Sequence, residues 1–324
     1  MVQLTLNGTV HDLPDSVEGQ PLIDVAFDCG VDIPRRCWHP ATKFVGSCGV
    51  CMVQIQVDEN AKPKNGLACK TAFSSGMVVD TQAPKVKTAQ QKALERLEKK
   101  RVTRTSSTED PISIQDSTIC IKIDPSSCIE CSRCTRACSN VQDMNILKHD
   151  KTKGTLKPII TQSGCSLEVS GCIGCGACSV VCPTSSISEF SHIDDVMAAM
   201  KDPSKVVCVQ TAPTVRTQMG EPFGVPPSAE TEGKMVTLLR RLGFDYVYDT
   251  QFAADLTIME EGHELIERLS KKWSGEEVAM PQFTSCCPAW VNYVEQHKPE
   301  FIPNLSSAKI PHGHAGRSFK NLDD

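Results

Sequence analysis

The sequence has few aromatic side chains, no long apolar run and no excess of either charge. Phe, Trp and Tyr make up 5% of the 324 residues. No stretch approaches the roughly 20 apolar residues that a membrane-spanning helix needs. The 34 Lys and Arg residues stand against 39 Asp and Glu residues, which gives a net charge of −5. We therefore expect no membrane insertion and no nucleic-acid partner.

Cysteine is abundant, with 18 copies, and most of them occur in regular groups. In a secreted protein so many cysteines would indicate disulfides. Here they fall at metal-ligand spacings, which thiols keep where reductants hold them reduced. The first ten residues resemble neither a secretory signal nor a transit helix. We therefore expect a reducing compartment.

Eight cysteines form two tandem runs with the spacing Cys-x2-Cys-x2-Cys-x3-Cys. The runs are Cys128, Cys131, Cys134, Cys138 and then Cys172, Cys175, Cys178, Cys182, with Pro183 following. This spacing is typical of [4Fe-4S] clusters, and in two-cluster folds the last cysteine of each run ligates the other cluster. The rule predicts one cluster on Cys128, Cys131, Cys134 and Cys182, and another on Cys172, Cys175, Cys178 and Cys138. Zinc is the competing interpretation, but a four-ligand zinc site needs no such interleaving.

The first 84 residues predict a small mixed α/β domain with a further iron–sulfur site. Alternating apolar residues predict strands over 2–6, 52–57 and 77–80, with Asn7-Gly8 as a hairpin turn. The domain contains Cys37, Cys48, Cys51 and Cys69, with Gly46 and Gly49 beside the second and third. Glycine lets backbone N–H groups approach the sulfides of a [2Fe-2S] cluster. We predict that cluster on these four thiols, with a zinc site or buried free cysteines as the alternative.

The remaining chain divides into a linker, the double-cluster region and an α/β region. Residues 85–119 contain neither Cys nor His, and predict a solvated helix followed by a linker. From residue 200, alternating patterns predict an α/β domain with about three parallel strands. Its predicted strands are 206–211, 244–249 and 280–284, and its predicted helices are 233–242 and 252–269. The cysteines outside these groups are expected to be small buried hydrophobes: Cys29, Cys120, Cys165 and Cys208.

Several segments of the last region resemble the catalytic domain of [FeFe]-hydrogenases. They are Thr211-Ala-Pro-Thr-Val-Arg216, Gly233-Lys-Met, Phe252-Ala-Ala-Asp-Leu-Thr-Ile-Met-Glu-Glu261, Phe283-Thr-Ser-Cys-Cys-Pro-Ala-Trp290 and Leu305-Ser-Ser-Ala-Lys309. The resemblance implies an α+β and α/β multidomain protein. Its parts would be a plant-type ferredoxin (β-grasp) domain at 1–84, a helix or linker at 85–117 without the family's cluster of one His and three Cys ligands, a double [4Fe-4S] bacterial-ferredoxin module at 118–192, the N-terminal part of an α/β hydrogenase catalytic domain at 200–311, and a divergent tail at 312–324.

The resemblance also implies roles for residues of the active site. In the family this site is the H-cluster, a cubane bridged through a cysteine sulfur to a di-iron unit. The residues that match are Cys287 as a cubane ligand, Cys286 as the thiol that passes a proton, Glu261, Glu264, Arg268 and Ser306 as the proton path, and Pro213 and Thr214 beside the di-iron unit. A thiol suits proton transfer because its pKa is easily tuned. The alternative for the Glu-Glu-Arg trio, which shares one helix face, is an ordinary exposed ion-pair stripe.

The family's other three cubane ligands have no counterpart before Asp324, and we expect a fragment, a frameshifted gene or a spliced variant. The resemblance implies an iron–sulfur electron-transfer protein whose full-length relatives, ferredoxin hydrogenase-like oxidoreductases, interconvert protons and dihydrogen with ferredoxin or another low-potential donor. The alternatives are a catalytically inactive ferredoxin-like subunit that docks to a dehydrogenase or hydrogenase, and a hydrogenase-like cluster-assembly factor. We expect a cytoplasmic location, or alternatively a hydrogenosome or related anaerobic organelle.

Overall fold

The computed structural model describes residues 1–42, 46–58, 60–106, 116–117, 120–124, 127–150, 157–161, 165–226 and 231–320. Most of the predicted linker (107–115 and 118–119) and the chain end (321–324) lie outside these ranges. Gly154 and Gly164, in the loop between the two cysteine runs, lie outside them as well. The chain forms two compact units, Met1–Phe190 and Ser191–Asp324. None of the described helices is long and apolar enough to cross a membrane.

The first unit begins with a five-stranded mixed sheet. Its elements are β1 (Val2–Leu6), β2 (Thr9–Leu13), α1 (Leu22–Asp28), β3 (Met52–Gln56), β4 (Lys64–Leu67) and β5 (Met77–Asp80). The strand order is β2-β1-β5-β3-β4, in which β1 and β5 are parallel and the other pairs antiparallel. Asn7 and Gly8 both have positive φ, at 52° and 84°, as a two-residue hairpin turn requires. The sheet and α1 bury one apolar core, which includes Leu4, Leu22 and Val53.

A 23-residue helix, α2 (Pro84–Ser106), follows this sheet and packs on it through one narrow stripe. Val86, Gln90 and Ala93 are buried, whereas the charged residues between them are largely exposed. The Gln90 amide donates a 2.8 Å hydrogen bond to the Met52 carbonyl oxygen of β3. The predicted solvated helix is therefore confirmed, and over residues 84–99 most side chains are exposed while one face packs against the first domain.

The double-cluster region is built from short elements around two cysteine-bearing loops. They are β6 (Asp116–Ser117), β7 (Ile121–Ile123), α3 (Arg133–Arg136), β8 (Leu147–Asp150), β9 (Lys157–Thr161), α4 (Ala177–Val180) and β10 (Ile187–Glu189). β10 pairs antiparallel with β7, and β7 with β6, while β8 and β9 form a separate hairpin. The small core contains Ile121, Leu167 and Ile187 together with three cysteines.

The second unit is mainly helical around one parallel strand pair. Its elements are α5 (Ile193–Met200), β11 (Cys208–Thr211), α6 (Pro213–Gln218), α7 (Thr231–Leu242), β12 (Tyr246–Asp249), α8 (Thr250–Trp273), α9 (Pro288–His297) and α10 (Pro311–Lys320). α8 begins after Asp249, whose side chain caps it by accepting a 2.9 Å hydrogen bond from the Gln251 N–H. The prediction of a mixed α/β chain is confirmed.

The predicted third strand over 280–284 is wrong. Only Phe283 pairs there, in an isolated parallel bridge with Leu305. The Phe283 N–H donates to the Asn304 carbonyl and the Phe283 carbonyl accepts from the Ser306 N–H, both at 2.7 Å. The segment pairs with a short loop rather than with a strand, so no ladder can extend from it.

The expectation of buried spare cysteines is also wrong. Cys120 and Cys208 are exposed, and Cys29 and Cys165 are only partly buried. Cys208 begins β11 in a two-stranded sheet, which covers its strands poorly. Cys120 lies beside the second cysteine loop, where a Cβ added to Gly174 would be 2.8 Å from the Cys120 sulfur.

Candidate metal centres and proton-transfer network

The four cysteines of the first domain are buried together at one end of the sheet. The Cys51 sulfur lies 3.3 Å from the Cys69 sulfur, and Cys48 shares a hydrogen bond with Cys37. That bond lowers the pKa of the Cys37 thiol to about 4 and raises the pKa of Cys48. In the same way Cys69 lowers the pKa of Cys51 to about 7. Each pair therefore supplies a thiolate near neutral pH, and thiolates are the form that binds iron.

The loop that bears these cysteines depends on glycine and on helix α2. Gly46 and Gly49 have φ values of 65° and 75°, which favour glycine. The Val50 N–H donates a 3.4 Å hydrogen bond to the Cys48 sulfur. Arg96 of α2 donates a 3.0 Å hydrogen bond to the Cys48 carbonyl oxygen. A backbone N–H group therefore points at sulfur in this loop, which suits a [2Fe-2S] cluster.

In the second cysteine region one pocket joins cysteines from both runs. Cys138 of the first run lines it together with Cys172, Cys175 and Cys178 of the second. Apolar side chains form the rest of its wall, including Ile121, Met144, Leu147 and Leu167. The pocket thus contains the three-plus-one set that the spacing predicts, with a largely apolar wall.

The other predicted set also lies close together. Burial raises the pKa of Cys131 and of Cys134, and the charge of Cys182 raises both further. Cys182 is therefore near two thiols of the first run, although it follows them by more than 40 residues. Backbone N–H groups donate to the sulfurs here as well: Glu130 to Cys128 at 3.4 Å, Ile146 to Cys138 at 3.2 Å and Ile187 to Cys182 at 3.4 Å.

Across the described ranges, no group of three or more His, Cys, Asp or Glu side chains is arranged to hold one metal ion. The pocket lined by Cys138, Cys172, Cys175 and Cys178 suits ligands at the corners of an iron–sulfur cube.

In the second unit Glu264 of α8 is the centre of a polar network. The Ser306 hydroxyl donates to one Glu264 oxygen at 2.7 Å, and the Ser307 N–H donates to the same oxygen at 3.0 Å. Arg268 pairs with the other oxygen at 2.7 Å, and donates to the Pro303 and Leu305 carbonyls. Burial would raise the pKa of Glu264, but the bonds from Ser306, Arg268 and Ser307 outweigh it and lower the pKa.

The two adjacent cysteines lie next to this network. Cys286 and Cys287 are exposed, and Cys287 immediately precedes α9. The hydroxyl of the neighbouring Ser285 donates a 2.8 Å hydrogen bond to the Ser306 carbonyl oxygen. The structure therefore brings the cysteine loop, Ser306, Glu264 and Arg268 into one connected region.

Glu261, one helical turn before Glu264, has a different environment. Its Oε1 is shielded from solvent and has no hydrogen-bond partner within the described residues. Its backbone carbonyl accepts a 3.1 Å hydrogen bond from the Gln282 amide. Pro213 and Thr214 begin α6 and are exposed, and the hydrogen bonds of the neighbouring Arg216 run to Asp249 and Glu232 rather than to the cysteine loop.

Sequence comparison identifies the domains that carry these sites. The chain matches the C-terminal domain of the iron only hydrogenase large subunit over residues 205–324, a 2Fe-2S iron-sulfur cluster binding domain over 1–84, and a 4Fe-4S binding domain over 168–188. The NADP-reducing hydrogenase subunit HndD of Solidesulfovibrio fructosivorans is 34% identical over 96% of this chain. Iron hydrogenase 1 of Clostridium pasteurianum is 31% identical over 94% of it. The chain belongs to the iron-only hydrogenase family.

The chain spans just over half the length of these two relatives, 57% of HndD and 56% of iron hydrogenase 1. Among solved structures, a single-residue variant of the [FeFe]-hydrogenase HydA1 from Chlamydomonas reinhardtii is 45% identical over 38% of this chain and 31% of its own. The TM-score of that match is 0.36. The match to cluster-binding domains shows a family member that carries [2Fe-2S] and [4Fe-4S] electron-transfer domains.

The residues present fit the H-cluster only in part. Residues 191–324 contain three cysteines, Cys208, Cys286 and Cys287. Cys208 begins β11, so Cys287 is the one thiol beside Cys286 that could hold a cubane corner.

Sequence patterns miss some residues that complete these sites. Ser307 and Ser285 join the Glu264 network, and Gln282 contacts Glu261, but each lies in an irregular loop without periodicity. Arg96 contacts the Cys48 loop from a helix whose other charges are largely exposed. The one sequence signal for any of these residues is the Ser306-Ser307 pair, which could have suggested Ser307 as a second donor to Glu264 of α8.

Proposed function

We propose that this chain is an electron-transfer protein that carries three iron–sulfur centres, all in the part of the sequence that precedes the hydrogenase C-terminal domain. A plant-type ferredoxin domain would hold a [2Fe-2S] cluster on Cys37, Cys48, Cys51 and Cys69. A double [4Fe-4S] module would hold one cubane on Cys128, Cys131, Cys134 and Cys182, and the other on Cys172, Cys175, Cys178 and Cys138. The bound clusters supply one-electron redox chemistry, and the chain sets their potentials through burial and N–H···S hydrogen bonds.

A single observation carries this proposal, the pocket that Cys138 shares with Cys172, Cys175 and Cys178. A structural zinc site would draw its ligands from neighbouring Cys-x2-Cys pairs and has no use for this crossing. Two cubanes that share their fourth ligands require it. The exchange also brings the two clusters close together, as a relay of electrons needs.

Glu264, Arg268 and Ser306 support a proton-handling role for the second unit. The Ser306 hydroxyl donates to the Glu264 carboxylate, and a hydroxyl beside a carboxylate can pass a proton. The Ser285 hydroxyl holds the loop that bears Cys286 against the Ser306 carbonyl, and Cys286 would exchange the proton with this pair. Glu261, whose Oε1 is shielded from solvent, would extend this proton path along α8.

Ferredoxin or another low-potential carrier is the proposed electron partner, and protons and dihydrogen are the proposed substrates of the whole assembly. A second candidate is a catalytically inactive electron-transfer subunit that docks to a dehydrogenase or hydrogenase.

The crossed ligation is tested by Cys138→Ser, with Cys29→Ser as the matched control. Cys29 is a partly buried cysteine in the first domain that belongs to neither run. After anaerobic expression with cluster-loading proteins, we expect Cys138→Ser to lose about four iron atoms per chain, the content of one cubane. The EPR signal of the other cubane and of the [2Fe-2S] centre should remain. Retention of all iron, or zinc in place of iron, would contradict the proposal.

A second experiment separates the two candidate functions. The cluster-loaded chain is supplied with the family's di-iron unit, and hydrogen evolution from reduced methyl viologen is measured. No hydrogen together with intact cubane EPR signals would assign the chemistry to a partner. Hydrogen evolution that Cys286→Ser abolishes would assign it to this chain.

A further inference from the structure

The loop of the first domain's cysteines contacts the first cysteine run directly. Arg133 Nε donates a 2.8 Å hydrogen bond to the Arg36 carbonyl oxygen. In return the Arg36 guanidinium donates to the Ile129 carbonyl oxygen. Both arginines are partly buried, and more than 90 residues separate the partners in sequence. The contact is therefore a reciprocal pair between two domains of one compact unit.

The two hydrogen bonds involve three residues, and each of them is the sequence neighbour of a proposed cluster ligand. Arg36 precedes Cys37, Ile129 follows Cys128, and Arg133 precedes Cys134. The path from the Cys37 backbone to Cys134 thus crosses one hydrogen bond, and the path from Arg36 to Cys128 crosses another. Weak contacts at the domain surfaces would not align the two cysteine loops in this way.

The charges at this contact support the same arrangement. Arg36 and Arg133 place two guanidinium groups at this contact. Arg35 is held in place over the Trp38 ring, 4.9 Å from its centroid. Clusters held by four thiolates carry negative charge that grows on reduction, and positive side chains between two of them reduce their repulsion.

The segment between the two domains offers no ligands for a further cluster, because residues 85–119 contain neither Cys nor His. Electrons that enter at the first domain must then leave it through its own contact with the next one. The Arg36 and Arg133 pair is where the described residues make that contact through hydrogen bonds next to proposed ligands.

We propose that Arg36 and Arg133 are positioning residues that clamp the [2Fe-2S] loop onto the loop of the Cys128 cubane, so that an electron passes directly between them. The proposal rests on the function proposed above. One electron moves without bond making or breaking, so that oxidation of the [2Fe-2S] centre accompanies reduction of the cubane. A low-potential one-electron donor restores the first centre.

The test measures magnetic coupling rather than activity. The cluster-loaded full chain is reduced, and the microwave power that saturates the [2Fe-2S] EPR signal is compared for wild type, Arg36→Gln, Arg133→Gln and Arg36→Lys. Arg240→Gln, an exposed arginine on α7, is the control for loss of charge. We expect the saturating power to fall several-fold in both clamp variants because the fast-relaxing cubane moves away. Arg36→Lys should recover part of it, and Arg240→Gln should match wild type.

Hydrogen exchange provides a second readout. Amides around residues 33–38 and 127–136 should exchange faster together in Arg36→Gln and in Arg133→Gln, while β1 and β5 keep their protection. The clamp is overturned if wild type shows no interaction between the two reduced centres, or if both clamp variants saturate like Arg240→Gln with their clusters intact. A wild-type preparation without iron–sulfur signals would instead contradict the proposed function, and the clamp with it.

Discussion

At the scale of single residues, several hydrogen-bond donors stabilise the charged form of the Glu264 carboxylate. Ser306, Ser307 and Arg268 all donate to it, and its pKa lies below the ordinary value of 4.5. A carboxyl with a lowered native pKa stabilises the fold above its unfolded pKa and loses that contribution as the pH falls through the native value. Glu264→Gln should therefore lower the opening free energy of α8 at pH 7 by about 1 to 2 kcal/mol, allowing for partial exposure.

The measurement is hydrogen exchange over residues 250–273 at pH 7 and at successively lower pH. The wild-type advantage should shrink below about pH 4.5, where the unfolded carboxyl becomes protonated, and vanish below the native pKa. Glu260→Gln, exposed on the same helix, should change little at any pH. A Glu264→Gln effect independent of pH would show that the network stabilises α8 through hydrogen-bond geometry and not through the carboxylate charge.

At the scale of elements, the second cysteine loop depends on two glycines in the left-handed region. Gly174 and Gly176 have φ values of 70° and 71°, so alanine at either position costs about 1 kcal/mol of backbone strain. Only at Gly174 would the new Cβ also clash, 2.8 Å from the Cys120 sulfur. We expect Gly174→Ala to accelerate iron loss to a chelator clearly more than Gly176→Ala does.

Adding Cys120→Ala to Gly174→Ala should remove the extra loss and leave the effect of Gly176→Ala. The single variant Cys120→Ala provides the baseline for that comparison. Equal rates for both glycine variants, or no recovery in the double variant, would show that backbone conformation alone governs the loop.

Helix α2 is the second element whose contacts predict an effect on a cluster. Arg96 reaches the Cys48 carbonyl, and Ala93 packs against Cys37, Cys48 and Val50. Arg96→Ala removes that hydrogen bond, worth about 1 kcal/mol, and should speed loss of the [2Fe-2S] signal in visible circular dichroism under a chelator. Lys92→Ala, exposed on the same helix, removes the same charge without a contact to the loop. A similar rate in both variants would mean that α2 does not protect the cluster loop.

The elements show which features the sequence could predict. The strand at Met77–Asp80 and the Asn7-Gly8 hairpin were predictable because alternation and turn chemistry are local. The failed strand over 280–284 has suitable residues, but its partner is a loop near Leu305 that no local pattern identifies. The placement of Cys138 with the second run was predictable because cluster geometry imposes the spacing. The exposure of Cys120 was not, since it depends on how the two loops meet.

At the scale of the whole molecule, the two cysteine-rich regions differ in the size of their described apolar cores. The first domain has a core of 16 buried residues, of which two are cysteines. Among the described residues of the double-cluster region, the core contains eight buried side chains, three of which are cysteines: Cys128, Cys134 and Cys178. Apolar burial contributes about 25 cal/mol per Å², so a core of this size contributes little without its clusters. We therefore expect cluster binding to supply much of the folding free energy of that region, as in other small metal-dependent domains.

Iron chelation under anaerobic conditions should therefore unfold the chain in a definite order. Amides in residues 120–124, 127–148 and 165–190 should lose protection from hydrogen exchange first. The first sheet should lose it only near the Cys37 and Cys48 loop, because its core lies between β-strands and α1 and is mostly hydrocarbon. The helices α7 and α8 are an internal control, since none of their residues is a proposed cluster ligand. Simultaneous loss of protection throughout would mean that the clusters stabilise both units as one cooperative structure, and unchanged exchange in the double-cluster region would mean that its backbone folds without iron.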